Sequence, residues 1–263
     1  MRTCCEHLGA RRRARIPGER EVATNDASLN VHPKFETVGA ADLMALERIL
    51  EPEVMDTLAE AQDYDSMDHG GVNERFVAEA ISFGIDSGDV LDLGTGTAQI
   101  PVQYCLKCLE VRIMAVDMAV HMLDLARYNV EAAGVTERVQ LGQCDAKDLP
   151  QDDGIFDAVI SNSIVHHIPE PLTCLEEAVR VTRSGGRLFV RDLMRPESLE
   201  QIQEFVEAYA GEENDHQRKM FRDSLHAALS LEEIRQMVLG LGFDPETVTA
   251  TSDRHWTWAA IKP

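Results

Sequence analysis

Long apolar runs are missing from this sequence. No stretch approaches the ~20 consecutive apolar residues that a membrane helix needs, and the amino-terminal residues carry no apolar signal core. The expectation is a soluble, cytoplasmic protein with no membrane partner. Cysteine is scarce: six residues, at positions 4, 5, 105, 108, 144 and 174, show no framework spacing, so reduced thiols are expected rather than disulfides. Cys105 and Cys108 make a lone CxxC inside a predicted helix and read as two small core-facing residues rather than a metal or redox pair. Positive charge is also in short supply. With 25 Lys and Arg against 46 Asp and Glu, the net charge of −21 opposes polyanions, and nucleic acid is not expected as a partner.

What remains is enough for one sizeable core, since 44% of 263 residues are hydrophobic. Residues 1–35 hold most of the clustered arginines (Arg2, Arg11, Arg12, Arg13, Arg15, Arg20) without apolar periodicity. They read as a disordered basic tail, because interspersed Glu6, Glu19, Glu21 and Asp26 are wrong for a transit peptide. Residues 36–85 form an N-terminal helical cap. Leu43, Leu46, Ile49 and Leu50 predict a helix over 40–50, Glu51-Pro52 allows a fresh start through Val54, Leu58 and Ala61, and a further helix runs from about Asn73 to Phe83. Residues 86–263 form the main domain.

Its organising stretch is Asp89 to Gln99, DVLDLGTGTAQ, read as strand, tight loop and helix. Gly94 and Gly96 permit positive φ and close approach of the backbone to a ligand lying at the N-terminus of the following helix. Asp92, a carboxylate within an apolar strand, must find partners such as backbone N–H groups or a ligand amine. A second buried strand, Val111 to Val116, ends at Asp117, placed to accept hydrogen bonds from a ribose diol. Together these point to an adenosine-containing ligand.

Val90 to Ala98 with Asp117 resembles the class I S-adenosylmethionine-dependent methyltransferases over most of residues 60–263, with Ala98 standing at the third glycine position of that family's loop. The resemblance implies an α/β, Rossmann-like, doubly wound and mostly parallel seven-stranded sheet with an antiparallel last strand, supplied here by the predicted hairpin of 247–251 and 255–261. It implies S-adenosyl-L-methionine as methyl donor, held by Asp92, Gly94, Thr95, Gly96, Asp117, Met118, Ala146 and Asn162. Asp145 would stand at the adenine amino group, and Tyr64 and Met67 would cover the site. The run from Phe156 to Asn162, followed by Ser163-Ile164-Val165-His166-His167, is similar to the small-molecule branch of the family.

Ligands of open parallel sheets bind at the carboxyl ends of the strands where the strand order reverses, which puts this segment beside the donor. His166 and His167 are the candidate bases for an acceptor that must lose a proton. In an extended segment they would point to opposite sides. Two predicted helices in 196–229 form a polar lid expected to shape the acceptor pocket. Arg191 and Arg195, with Arg218, Lys219 and Arg222 beyond them, suggest an anionic small-molecule acceptor, against the alternative that they pair with neighbouring acids. Ser230 with Glu233 reads as a capping box. The rival readings are a nicotinamide-dependent oxidoreductase and a non-catalytic S-adenosylmethionine-binding protein. Asp145, the Ser-Asn-His edge and the terminal hairpin stand against the first, whereas only activity separates the second.

Overall fold

The computed structural model of the protein describes residues 46–51, 57–66 and 70–263. The tail 1–35 and the side chains of Leu43, Val54 and Met67 lie outside the described residues. Five apolar segments form the parallel part of one sheet: β1 (Ser87–Leu93), β2 (Glu110–Asp117), β3 (Val139–Gln143), β4 (Phe156–Asn162) and β5 (Thr182–Leu193). β6 (Val248–Ala250) and β7 (His255–Ile261) complete the order β3-β2-β1-β4-β5-β7-β6, with β7 antiparallel to both of its neighbours.

The two-residue period of a strand sends Val90, Ile113, Ala115, Ala158 and Phe189 to one face, and Leu91, Leu93, Val159, Leu188 and Val190 to the other. Both faces are apolar because helices cover both. The first packs against α2 (Gly70–Ser82), α3 (Gln99–Lys107) and α4 (Val120–Ala132) through Phe76, Tyr104 and Ala126. The second packs against α5 (Pro171–Val181) and α8 (Leu231–Gly240) through Leu175, Ala178, Ile234 and Val238, with Trp256 and Trp258 fully buried among them. The chain reverses its winding between β1 and β4, so the carboxyl ends of these neighbouring strands frame the cleft described below.

A third helical group stands beyond the sheet: α1 (Leu58–Ser66), α6 (Leu199–Ala210) and α7 (Asp215–Ala227). Ile202, Val206, Leu225 and Ala228 form a small core with Leu193 and Leu46. The Ser230 and Glu233 capping box opens α8 as the sequence predicts, and a second box of Asn214 with Gln217 opens α7.

The helix expected over 40–50 is not found in its described part. Residues 46–50 are non-helical, with Ile49 and Leu50 exposed. Tertiary bonds replace the local ones, since Ile49 N–H donates to the His226 carbonyl at 3.2 Å and the Arg48 guanidinium to the carbonyls of Ala227, His166 and Ile168. Pro52 adds a local reason, because the residue before a proline is pushed away from helix. Cys108 is likewise corrected: it follows α3 instead of lying within it. No helix among the described residues is long and apolar enough to cross a membrane.

Candidate functional site

The loop between β1 and α3 is built from three positive φ values, Gly94 at 67°, Gly96 at 54° and Ala98 at 59°. It is pinned to the end of β2: Thr95 N–H donates to the Val116 carbonyl at 2.9 Å and Gly96 N–H to Asp117 Oδ2 at 2.8 Å. Asp117 Oδ1 also takes the Ala119 N–H at 2.9 Å, so this carboxylate ties the loop to the start of α4. A Cβ on Gly94 would stand 1.9 Å from Ile164 Cγ2, and a glycine is what lets the segment after β4 close over the loop.

Where these elements meet, a cleft opens. Val116, Met118, Met122, Ala146 and Ile164 give it apolar walls, while Asp117, Asp145, Lys147, Asn162, Ser163 and His167 are polar residues along it, with Tyr64 from α1 also in the lining. Asp145 accepts the Lys147 N–H and pairs with its ammonium at 3.0 Å. Cys144 also lines the cleft, with its thiol pushed up by burial and by the Asp145 and Asp117 charges, and so kept from acting as a thiolate.

A smaller recess continues from Gly94 and Asn162 to Asp92, Thr95, Thr97 and Gln99. Here the described residues leave buried polar atoms without protein partners: Asp92 Oδ2, Thr97 Oγ1 and Asn162 Oδ1. Burial pushes the Asp92 carboxyl up to about 7, against a smaller lowering by Thr95 and with a further rise from the Asp117 charge. Two orphaned acceptors and a hydroxyl beside a carboxyl that burial holds near neutrality suit a ligand ammonium. The Tyr64 phenol is pushed up to about 12, first by burial and then by Asp117 and Asp92, and stays neutral.

The histidines do not lie in an extended segment. Val165–His167 is a 3-10 turn, and the two rings lie against each other, tilted by 35°, with centroids 4.1 Å apart. His167 lines the cleft, whereas His166 is 3% exposed and sits behind it. Asp192, buried in β5, holds the turn: Oδ2 accepts the N–H groups of Val165 at 2.5 Å and His166 at 3.2 Å, while Oδ1 lies 2.5 Å from His166 Nδ1 and accepts the Leu193 N–H. Burial raises the Asp192 carboxyl, but the His166 charge and these bonds outweigh it and hold it below the usual range. His166 is raised despite its own burial, by Asp192 and Glu51. Glu51 comes from outside the turn, with Oε1 3.1 Å from His167 Nδ1 and 3.5 Å from His166 Nε2.

Of the residues singled out in the sequence, Tyr64, Gly94, Gly96, Asp117, Met118, Asp145, Ala146, Asn162 and His167 thus share the cleft, and Asp92 and Thr95 the adjoining recess. The two arginines expected at the acceptor lie elsewhere. Arg191 points to the opposite face of β5 from Asp192, pairs with Glu79 and Thr257 Oγ1, and stands over the rings of Phe76 and Phe189. Arg195 donates to the Ala228 carbonyl at 2.9 Å and to Glu233 at 2.7 Å, joining the end of β5 to α8. Nor does any residue of 196–229 line cleft or recess. The insertion instead touches residues that support the site, Ser224 donating to Glu51 and Gln217 and His216 contacting Asp63 of α1. Sequence reasoning missed Glu51, Arg48 and Asp192; the signal available for Asp192 was an acid inside an apolar strand.

Residues 91–190 match the family described as a methyltransferase domain. The chain is 28% identical over 179 residues to a 27-O-demethylrifamycin SV methyltransferase of Amycolatopsis mediterranei (strain S699), covering 66% of this chain and 62% of that protein. It is 27% identical over 123 residues to a ubiquinone/menaquinone biosynthesis C-methyltransferase of Geobacter sp. (strain M21), covering 46% of this chain and 52% of that one. The chain therefore spans under two thirds of the length of these relatives. A solved structure of an S-adenosylmethionine-dependent methyltransferase from Aquifex aeolicus shares the fold, with a TM-score of 0.60 at 17% identity over 79% of this chain and 99% of that one.

Proposed function

Because the chain belongs to the class I S-adenosylmethionine-dependent methyltransferases, we propose that it transfers the methyl group of S-adenosylmethionine to a small-molecule acceptor by in-line displacement. The observation that carries the reading is the joining of a recess with orphaned Asp92 Oδ2 and Asn162 Oδ1 to a cleft holding Asp117 and Asp145. An elongated ligand with an ammonium at one end, a ribose in the middle and a flat base at the other matches that sequence of groups. In this reading Asp92 and Asn162 take the amino group, Asp117 the ribose hydroxyls and Asp145 the adenine amino group, while Val116, Met118 and Ala146 flank the base and Tyr64 covers the loop.

When bound, the donor supplies a methyl already activated by its sulfonium. The protein's own task is to align the acceptor, exclude water and accommodate a leaving proton. His167, the imidazole on the cleft wall just past the end of β4, is the residue we assign to take that proton. His166 serves as a positioning residue behind it through the Asp192 bond. The acceptor is taken as a small molecule because the cleft is concave, and because the net charge of −21 disfavours nucleic acid. An anionic acceptor loses its support, since Arg191 and Arg195 are engaged away from the cleft.

A nicotinamide dinucleotide is the poorer fit. Its pyrophosphate at the N-terminus of α3 would meet the carboxyl group of Asp92, and β7 runs antiparallel where the dinucleotide fold has parallel strands. Calorimetry tests the donor: S-adenosylmethionine and its demethylated product should bind and NAD should not. Incubating labelled donor with a metabolite extract and following label by mass spectrometry tests the transfer. Tight NAD binding without a response to S-adenosylmethionine would overturn the proposal, and donor binding without any labelled product would make the protein a binder.

A further inference from the structure

We propose that Glu51, His166 and His167 form a site for one divalent transition-metal ion at the acceptor end of the cleft. Three donor atoms from segments more than a hundred residues apart converge there. Glu51 Oε1 lies 3.1 Å from His167 Nδ1 and 3.5 Å from His166 Nε2, and all three atoms lie within 4.8 Å of one another. Ligands bound at ~2.0–2.2 Å around one ion sit roughly 3.0–3.5 Å apart, so small side-chain adjustments bring this set onto a single centre. Two imidazoles and one carboxylate are a donor set for zinc, iron(II) or cobalt(II) rather than for magnesium or calcium, which prefer oxygen.

The surroundings are built as an outer shell. Metal-bound histidines ordinarily donate their second ring N–H to a carboxylate, which fixes ring and tautomer. Asp192 Oδ1 does this 2.5 Å from His166 Nδ1, leaving Nε2 turned to Glu51, and Asp192 is itself held by three backbone N–H groups. Ser224 Oγ donates to Glu51 Oε1 at 3.1 Å, and Arg48 grips the carbonyls of His166 and Ile168, fixing the turn that carries both rings. Arg48 brings positive charge, but its donors are spent on carbonyls, and the two carboxylates of Glu51 and Asp192 offset it. Three protein ligands leave positions open, and His167 borders the cleft, so an acceptor hydroxyl could take one of them. The ion then lowers the pKa of that hydroxyl, so that its proton passes to water rather than to the imidazole and the bound alkoxide is the nucleophile, with both imidazoles retained as ligands. Only this use, not the site, rests on the methyltransferase reading.

The test uses the full chain without an affinity tag, stripped with chelator and titrated with cobalt(II) as probe. One equivalent should bind, with visible d–d absorption typical of nitrogen and oxygen ligation. Glu51→Gln and His167→Gln, which leave the Asp192 bonds intact, should each weaken cobalt binding at least tenfold. Affinity for S-adenosylmethionine should be the same in stripped protein and in Glu51→Gln, which separates a failed metal site from a failed donor site and shows that the variant is folded. Absence of d–d absorption at stoichiometric cobalt, or binding that both variants leave unchanged, would overturn the proposal.

Discussion

Asp92 gives the sharpest test of the donor site, because its geometry makes a statement about stability as well as binding. The carboxyl is 2% exposed, one oxygen lacks a protein partner, and its pKa rises from an ordinary 3.8 to about 7. A group whose folded-state pKa is raised keeps a proton that the unfolded chain has released, so stability falls as pH rises between about 4 and 7 and stays lowered above. At ~1.4 kcal/mol per tenfold, the ionised carboxylate costs the ligand-free fold about 4 kcal/mol at most. Asp92→Asn removes that cost but leaves an amide to satisfy, so a net gain of about 1–3 kcal/mol near pH 8 is expected by urea denaturation.

His255 works the other way. Burial and the Arg254 charge depress it to about 4, so its contribution is present above its ordinary 6.5 and is lost as pH falls from there to about 4. The wild-type profile mixes both groups, and only the difference between wild type and variant isolates Asp92. A ligand ammonium reverses the penalty, so donor binding near pH 6 should release a proton. Calorimetry in buffers of different ionisation enthalpy reads that release. In the variant it should vanish, and affinity should fall about tenfold to a hundredfold, as for a lost charge-assisted hydrogen bond. Parallel stability curves for the two proteins from about pH 5 to 8 would refute the reasoning that burial holds this carboxyl protonated.

Asp117→Asn keeps one acceptor for the loop but weakens the charge-assisted bonds to a ribose; donor affinity should fall about tenfold by titration, and an unchanged dissociation constant in a folded variant would remove Asp117 from the site. Gly94→Ala places a methyl 1.9 Å from Ile164 Cγ2 at a φ of +67° and should cost at least ~2 kcal/mol; adding Ile164→Ala should recover the overpacking part and not the backbone strain, and additive losses would show the contact to be unimportant. Arg191→Met should lower stability by about 1–3 kcal/mol through the lost Glu79 and Thr257 partners while leaving the acceptor KM alone, and a raised KM at unchanged stability would return Arg191 to the acceptor site.

Most of the sheet was legible because buried parallel strands announce themselves as short apolar runs bounded by glycine or acid, as Val90 to Leu93 and Val111 to Val116 do. Antiparallel β7 was legible from the hairpin at Ser252-Asp253. What local pattern could not supply was the fate of a segment whose bonds are tertiary. Leu46, Ile49 and Leu50 have helical spacing, yet the Arg48 guanidinium finds three carbonyls on distant elements and Ile49 N–H finds His226, so a non-helical path wins. The insertion fails the same way: its two helices were visible, but their docking on α1 and Leu46, away from the cleft wall, depends on contacts that no period encodes.

The two aspartates in apolar strands show how far such reasoning reaches. Asp92 in β1 and Asp192 in β5 are the same anomaly in sequence, a carboxylate that apolar neighbours cannot solvate. In the fold their outcomes diverge. Asp192 is saturated by three backbone N–H groups and an imidazole, so its charge is held and it serves as an anchor for the 165–167 turn. Asp92 keeps an oxygen without a partner, so its charge is suppressed until something cationic arrives. The sequence reading singled out only Asp92, although the same signal stands at Asp192, and which of the two the chain itself supplies with a partner is decided by strand register. Residue 192 falls where the turn after β4 folds back toward β5, whereas residue 92 lies between β2 and β4 with the recess before it. An acid already answered by the protein is architecture, and one left unanswered beside a cleft marks where a ligand completes the fold.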